Sequence, residues 1–388
     1  MTDLRGPLSD EQICLGLGNP HAHGSATPPL VQTSMFLKPD FETLINELSA
    51  EHNHHVYTRG QNPTVEVLEH QLAQLEQGEA CKCLASGMGA VSAVLTGLLD
   101  GGDHVVFGNQ IYGPTLQLAE RLTRFGIQYS HVTSTDTHSI TEALRPETRI
   151  LYLENPGTML FGFLDLPALV ERAHQRDVLV VMDNSWATPL YYKPLNFGVD
   201  VVVQACSKYI GGHSDVMAGA IIARADLLQQ IFYNAYLLFG ASLGPFDAWL
   251  LIRGLRTLPI RMRAHQAGAE RVAQFLNGHP RVRSTNWPGL DQDACRAAGF
   301  SGASGLMSFE PRVSNFEGLC RFIDTLESFS PAVSWGGPES LVIAPNNGRN
   351  LEQLERLNIP PFLVRLSIGL EEPDRLIGDL DQALKQIQ

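Results

Sequence analysis

The chain has 388 residues, enough for two domains, and its 44% apolar content is ordinary for a globular enzyme. Acidic residues (41) outnumber basic ones (28), and the net charge of -13 excludes a nucleic-acid-binding body or a polybasic membrane surface. No apolar run reaches the roughly 18 residues of a membrane span, and the start "MTDLRGPLSDEQ" lacks a basic segment followed by an apolar one, so a cytoplasmic protein handling small ligands is expected.

Residues 1–57 read as an arm, extended over its Pro-, Gly- and His-rich first half and then helical around "FETLINELSAEH". His21, His23, His52, His54 and His55 crowd there without a spacing that closes a metal site, so no metal is expected. The segment "NPTVEVLEHQLAQLEQG" predicts a helix with Val67, Leu68, Leu72 and Leu75 on its apolar stripe and Gly78 as its stop. The runs "CKCLAS", "DHVVFG", "IQYSHV", "RILYLEN", "VLVVMDN", "VDVVVQACS" and "AGAIIAR" then alternate with helix-length segments. This is the pattern of an α/β domain, residues 58–250, with a parallel or mixed sheet under helices. From residue 251, "RGLRTLPIRMRAHQAGAERVAQFLNGHP" reads as one long helix interrupted near Pro259, opening a smaller α/β domain over 251–388. The six cysteines (14, 81, 83, 206, 295 and 320) make no disulfide framework, and Cys81 and Cys83 read as small apolar fillers of a strand.

In a wound α/β sheet, ligands gather beyond the carboxyl ends of the strands. The polar residues there are Ser86-Gly87-Met88, Tyr112, Glu154-Asn155, Asp183-Asn184 and Ser207-Lys208. Only five lysines occur (38, 82, 193, 208 and 385) against 23 arginines, so a lysine at a strand end is not generic surface charge. Gly87 and Met88 open a helix whose free amides suit a phosphate. Asp183 at a strand end needs a cation or a protonated ring nitrogen. Lys208, partly desolvated, suits a nucleophile. Together these three features meet the needs of pyridoxal 5'-phosphate.

"SKYIGGHSDVMAG" resembles the lysine motif of the Cys/Met-metabolism family of pyridoxal-phosphate enzymes, which contains cystathionine β-lyase, cystathionine γ-lyase, cystathionine γ-synthase and methionine γ-lyase. The likeness runs on through "YTRGQNPTVEVLEHQLAQLE", "SGMGAV", "YGPT", "MDNSWATP", "SWGGPESL" and "RLSIGLEEPDRLIGDLDQAL". It implies the aspartate-aminotransferase-like fold (fold type I), a large mostly parallel sheet domain with a smaller C-terminal α/β domain. It also implies a homotetramer built as a dimer of catalytic dimers. Lys208 is then the Schiff-base lysine, Asp183 the partner of the pyridinium nitrogen, and Ser86, Gly87, Met88 and Ser207 the phosphate site. Tyr112 stacks on the ring and serves catalysis beside Lys208, while Tyr57 and Arg59 reach the neighbouring subunit's phosphate, which makes residues 1–57 an arm for subunit contacts. For an amino-acid substrate the likeness implies Arg365 on the α-carboxylate, assisted by Ser334 and Thr158.

The family's reaction begins with removal of the Cα proton by the freed Lys208 amine and ends in loss of a substituent from Cβ or Cγ. Trp335 in "SWGGPESL" resembles the bacterial cystathionine β-lyase form, so a cystathionine β-lyase-like α,β-elimination yielding a 2-oxo acid, ammonia and a thiol is the first expectation. Gly60, Gln117 and Val333 depart from the cystathionine-handling enzymes, which place charged or polar groups against the distal end of their substrate. A missing ionic contact there costs about 2 to 5 kcal/mol. A γ-lyase acting on a substituted homoserine such as canavanine, and a γ-synthase-type transferase, are therefore the alternatives, with Pro114 counting against methionine γ-lyase activity.

Overall fold

The computed structural model describes residues 7–17 and 24–387, so His21 and His23 lie outside the described residues. All seven apolar runs form strands: β1 Ala80–Leu84, β2 His104–Gly108, β3 Gln128–Val132, β4 Thr148–Glu154, β5 Leu179–Asp183, β6 Val201–Gln204 and β7 Gly219–Ala223. They make one sheet in the order β1-β7-β6-β5-β4-β2-β3. The pairings from β3 through β2, β4 and β5 to β6 are parallel, while β7 runs antiparallel to both β6 and β1. Val201, Val202 and Val203 are wholly buried, as strands covered on both faces must be.

The N-terminal region is more structured than its composition suggests. Ser9 and Gln12 exchange side-chain and backbone bonds in a capping box that starts a short helix, α1 Asp10–Cys14. Its Ile13 and Cys14 are buried, and the Ile13 carbonyl accepts from Gln71 Nε2 at 3.0 Å, so this part is docked on the body and not extended. The expected helix around residues 41–52 is α2 Phe41–Leu48, which buries no residue. Next, α3 Pro63–Glu76 is capped by Asn62 and starts on Pro63. Its left-handed stop falls on Gln77 (φ 60°), and Gly78 serves a different need, since a Cβ there would run into Ile222. Two further helices carry site residues at their starts, α4 Gly87–Leu98 and α5 Gly113–Leu122.

The long C-terminal helix is two helices, α6 Pro245–Leu255 and α7 Leu258–Gly278. The break lies at Arg256-Thr257 and Pro259 belongs to the first turn of α7, where a missing N–H costs nothing. The expected boundary at residue 250 lies inside α6. The second sheet has five strands, β8 Val282–Asn286, β9 Leu306–Pro311, β10 Ser330–Pro331, β11 Leu341–Ile343 and β12 Val364–Ser367, in the order β10-β11-β12-β9-β8. The final helix, α8 Pro373–Lys385, packs with α7 over it. The sheets are tied by Trp186, whose Nε1 donates to the Leu306 carbonyl at 3.2 Å, and by Tyr209, which meets His265 edge-on at 5.0 Å. Among the described residues no helix is long and apolar enough to cross a membrane.

Cys81 and Cys83 are buried in β1, and burial pushes both thiols up. Lys82 between them is buried too, pairing with Glu69 at 3.0 Å and donating to Gln61 Oε1 at 2.9 Å. Glu69 also accepts from the Cys83 amide at 2.9 Å, so β1 is pinned to α3 by a desolvated ion pair. Removing one partner strands the other charge, which costs about 3 to 5 kcal/mol. K82M should therefore lower the midpoint of urea unfolding sharply, while K82M/E69L should recover most of the loss.

Candidate active site

The register of the central strands assembles the site. Glu154 at the end of β4 lies directly beside Asp183 at the end of β5. The next strand, β6, leads through Ala205 and Cys206 to Ser207 and Lys208. Asp183 Oδ1 accepts from the Ser185 amide at 2.9 Å, and Ser185 Oγ accepts from the Ala205 amide at 2.6 Å, so the Asp183 turn is latched to the approach to Lys208. Beneath them, buried Glu76 accepts from Asn184 Nδ2 at 2.9 Å and Gln204 Nε2 at 2.6 Å. Burial lifts that carboxyl to about 7.

The second sheet supplies the other half of the pocket. Lys208 Nζ donates to Ser334 Oγ at 2.6 Å, and Arg365 Nη2, from β12, donates to the Ser334 carbonyl at 3.2 Å. Ser334 holds both bonds with φ 84°, a left-handed conformation that costs a non-glycine residue about 1 to 3 kcal/mol. The ammonium also faces Trp335, 5.5 Å from its ring centroid. The backbone of Lys208 and Tyr209 lies so close to Gly336 that a Cβ there would meet the Tyr209 amide at 2.7 Å. Burial, aided by the positive charge of Arg365 and opposed by Asp183, brings the Lys208 amine down to about 8. Arg365 is lowered to about 10 by burial and stays protonated.

Ser86 caps α4 by accepting from the Gly89 amide at 2.9 Å, which leaves the amides of Gly87 and Met88 at the open helix start. A Cβ on Gly87 would approach Ala205 Cβ to 3.0 Å, and one on Gly219 would run into the Ser86 carbonyl. The helix start is thus pressed against the strand ends that carry Ser207. Gly212, at φ 70°, lies against the Arg261 guanidinium, which donates to the Tyr209 carbonyl at 2.7 Å and the Gly254 carbonyl at 2.8 Å. Gly212 therefore makes room for a buried arginine that holds the lysine's own turn, while Gly211 lies against Val216 and the Cys206 carbonyl.

A profile described as "Cys/Met metabolism PLP-dependent enzyme" matches residues 11–385. The chain belongs to this family. It is 39% identical over 377 residues to an L-methionine gamma-lyase of Fusobacterium nucleatum subsp. polymorphum, covering 94% of this chain and 95% of that protein. It is 34% identical over 372 residues to a cystathionine beta-lyase of Bacillus subtilis, covering 94% and 93%. Among solved structures, a cystathionine gamma synthase from Xanthomonas oryzae pv. oryzae in complex with aminoacrylate and cysteine superposes with TM-score 0.90 at 34% identity, covering 98% of each chain. A putative O-acetylhomoserine (thiol)-lyase from Campylobacter jejuni, solved with N'-pyridoxyl-lysine-5'-monophosphate, gives 0.91 at 30% identity, covering 98% of this chain and 100% of that one.

The cofactor of the family is pyridoxal phosphate, and the residues present fit it. The free amides at the start of α4 suit a phosphate, Asp183 suits a protonated ring nitrogen, and the Lys208 amine is desolvated enough to condense with an aldehyde. Tyr112 caps α5 without a side-chain bond and is half exposed, and its phenol lies near enough to Arg365 to act on its charge. Ser207 Oγ is engaged with Ala218, donating to its carbonyl at 3.1 Å and accepting from its amide at 2.8 Å. Thr158 sits beyond β4, its amide on the Gln110 carbonyl at 3.0 Å. Tyr57 and Arg59 stand apart from this cluster, exposed, with the guanidinium 5.4 Å from the tyrosine ring. Gln117 is exposed on α5, and Val333 is 74% exposed.

Ser185, Glu76, Gln204 and Gly336 were not evident from the sequence as supports of the site. Only Ser185 had a local signal, the aspartate two residues before it that forms an Asx turn. The depressed Lys208 amine has a measurable consequence. In the apoprotein, its condensation with added pyridoxal phosphate should reach half its maximal rate near pH 8 and rise above it, because the neutral amine is the nucleophile. R365M, which removes a positive charge beside the amine, should move that midpoint upward, as read by stopped-flow absorbance.

Proposed function

We propose that the protein is a pyridoxal-phosphate-dependent carbon–heteroatom lyase acting on an α-amino acid with an uncharged distal substituent. The observation that carries this reading is the pairing of Lys208 and Arg365 through one residue, Ser334. It would hold a proton acceptor and a carboxylate clamp on the same serine. When bound, the cofactor supplies an aldehyde for the substrate amine and a ring that takes up the electron pair left on Cα. Gly87 and Met88 would hold its phosphate, joined by Ser207 once its hydroxyl turns away from the Ala218 carbonyl, with Asp183 at its ring nitrogen, Tyr112 at its ring face and Lys208 at its aldehyde carbon.

Arg365 would grip the substrate carboxylate with its planar fork and so fix the Cα–H bond relative to Lys208. The Lys208 amine, lowered to about 8, has both protonation states populated near neutrality. It can accept the Cα proton and return a proton to the departing heteroatom, with Ser334 Oγ steering it. Water then completes the balance: substrate plus water gives the protonated leaving group, a 2-oxo acid and ammonia. The distal end of the substrate would meet exposed Val333 and Gln117 and no charge from either, which disfavours the zwitterionic end of cystathionine.

Trp335 favours elimination at Cβ, and the likeness to methionine γ-lyases favours elimination at Cγ. A γ-synthase-type transferase is the second reading, favoured by the likeness to the Xanthomonas oryzae synthase structure. A cytoplasmic assembly of catalytic dimers belongs to the same proposal. It is supported by α2, which buries no residue, with Leu37 and Phe41 strongly exposed before and at its start. In such a dimer Tyr57 and Arg59 would serve the neighbouring subunit.

Borohydride reduction of the loaded protein followed by peptide mapping should place the pyridoxyl group on Lys208, and a label elsewhere refutes the mechanism. Oxo-acid assays across cystathionine, cystine, methionine, homocysteine and canavanine should show turnover greatest where the distal end is uncharged. A three-carbon product marks Cβ elimination and a four-carbon product Cγ elimination. A thioether formed from cysteine and an activated homoserine, without free oxo acid, would make the protein a synthase instead.

A further inference from the structure

Glu154 is a strand-end carboxyl to which neither the motifs nor the proposed reaction gives a part, yet it touches both sides of the cofactor site. Its Oε1 accepts from the backbone amide of Tyr112 at 2.7 Å, and its backbone carbonyl accepts from Asn109 Nδ2 at 3.1 Å. Across the β4–β5 pairing it stands level with Asp183, so the two carboxyls emerge side by side about 5 Å apart at the backbone. Glu154 is buried and Asp183 is half-buried beside it, and two like charges at that spacing repel strongly where so little water reaches them.

The surroundings decide which of the pair is ionised. Burial raises the Asp183 carboxyl too, but its bonds from Ser185 and the positive charge of Lys208 pull the other way. Glu154 faces Asp183, the neutral amides of Tyr112 and Thr158, and the phenol of buried Tyr152 on its own strand, with no cation acting on it among the described residues. Burial and the Asp183 charge push the Glu154 carboxyl far above the usual carboxylate range. We infer that Glu154 is a positioning residue for the cofactor: as a neutral acid it fixes the backbone of the ring-stacking Tyr112 and leaves the charge of the pair on Asp183.

The inference rests on the proposed roles of Tyr112, Asp183 and Lys208, and it makes glutamine the faithful replacement. The carboxamide oxygen still accepts from Tyr112 and its NH2 stands in for the acid O–H. In E154Q, pyridoxal phosphate affinity should stay within about twofold of wild type, and the pH midpoint of the bound cofactor's visible band should not move. In E154A, loss of one hydrogen bond should weaken cofactor binding about three- to tenfold and shift that midpoint. Both are read by absorbance titration of the loaded full-length protein, with circular dichroism confirming the fold. E154Q as damaged as E154A, or E154A indistinguishable from wild type, overturns this inference alone. A wild-type protein that takes up no cofactor, or a K208A variant that keeps the wild-type visible band, overturns the site reading and the inference with it.

Discussion

Two cations share one half-buried pocket, and everything else at the site is arranged around that fact. Lys208 comes from the end of the seven-stranded sheet and Arg365 from the five-stranded sheet, and one serine bonds both. Neither sheet makes the pocket alone. Placing two positive charges together in a low-dielectric site is unfavourable, and the more easily deprotonated one yields. Arginine keeps its charge, so lysine becomes the group with a mobile proton. Burial, reinforced by that repulsion, thus creates a chemical asymmetry between a lysine that can lose its proton and an arginine that cannot.

The acidic side obeys the same logic with the sign reversed. Glu154 and Asp183 are neighbours by strand register, and the one nearer a cation is the one that holds charge. Parallel pairing is what makes this possible, because it brings the carboxyl ends of β4, β5 and β6 to a single edge. Further support sits beneath that edge, where Glu76 bonds the amides of Asn184 and Gln204. These are the residues that adjoin Asp183 and close β6 ahead of Ser207.

Much of this was legible in the sequence where the signal is local. A run of valines ending in Asp183, another ending before Ser207-Lys208, and a small-residue helix start after β1 each announce themselves within a few residues. So do all seven strands of the larger sheet. What escaped depends on contacts distant in sequence or on backbone geometry. The role of Gly78 is settled by Ile222, more than a hundred residues away. The break at Arg256-Thr257 was displaced to Pro259 because proline marks a helix start as readily as an interruption. The short helix α1 was hidden by its loop-like neighbours, although its capping box was written in "SDEQ". Glu154 was visible as a strand-end carboxyl, but its partner Asp183 is set by register, which no local pattern encodes.

The loop from Val333 to Gly336 divides its labour unevenly. Ser334 is held by two bonds in a strained conformation, Trp335 packs on Tyr209 at 5.3 Å, and Gly336 has no room for a side chain. Val333, by contrast, leaves most of its side chain in solvent. Exchanging that side chain costs the fold almost nothing, whereas its three successors are nearly immutable. A lineage carrying this scaffold can therefore vary this position, which the proposed function sets against the distal end of the substrate, while Ser334, Trp335 and Gly336 stay where they are.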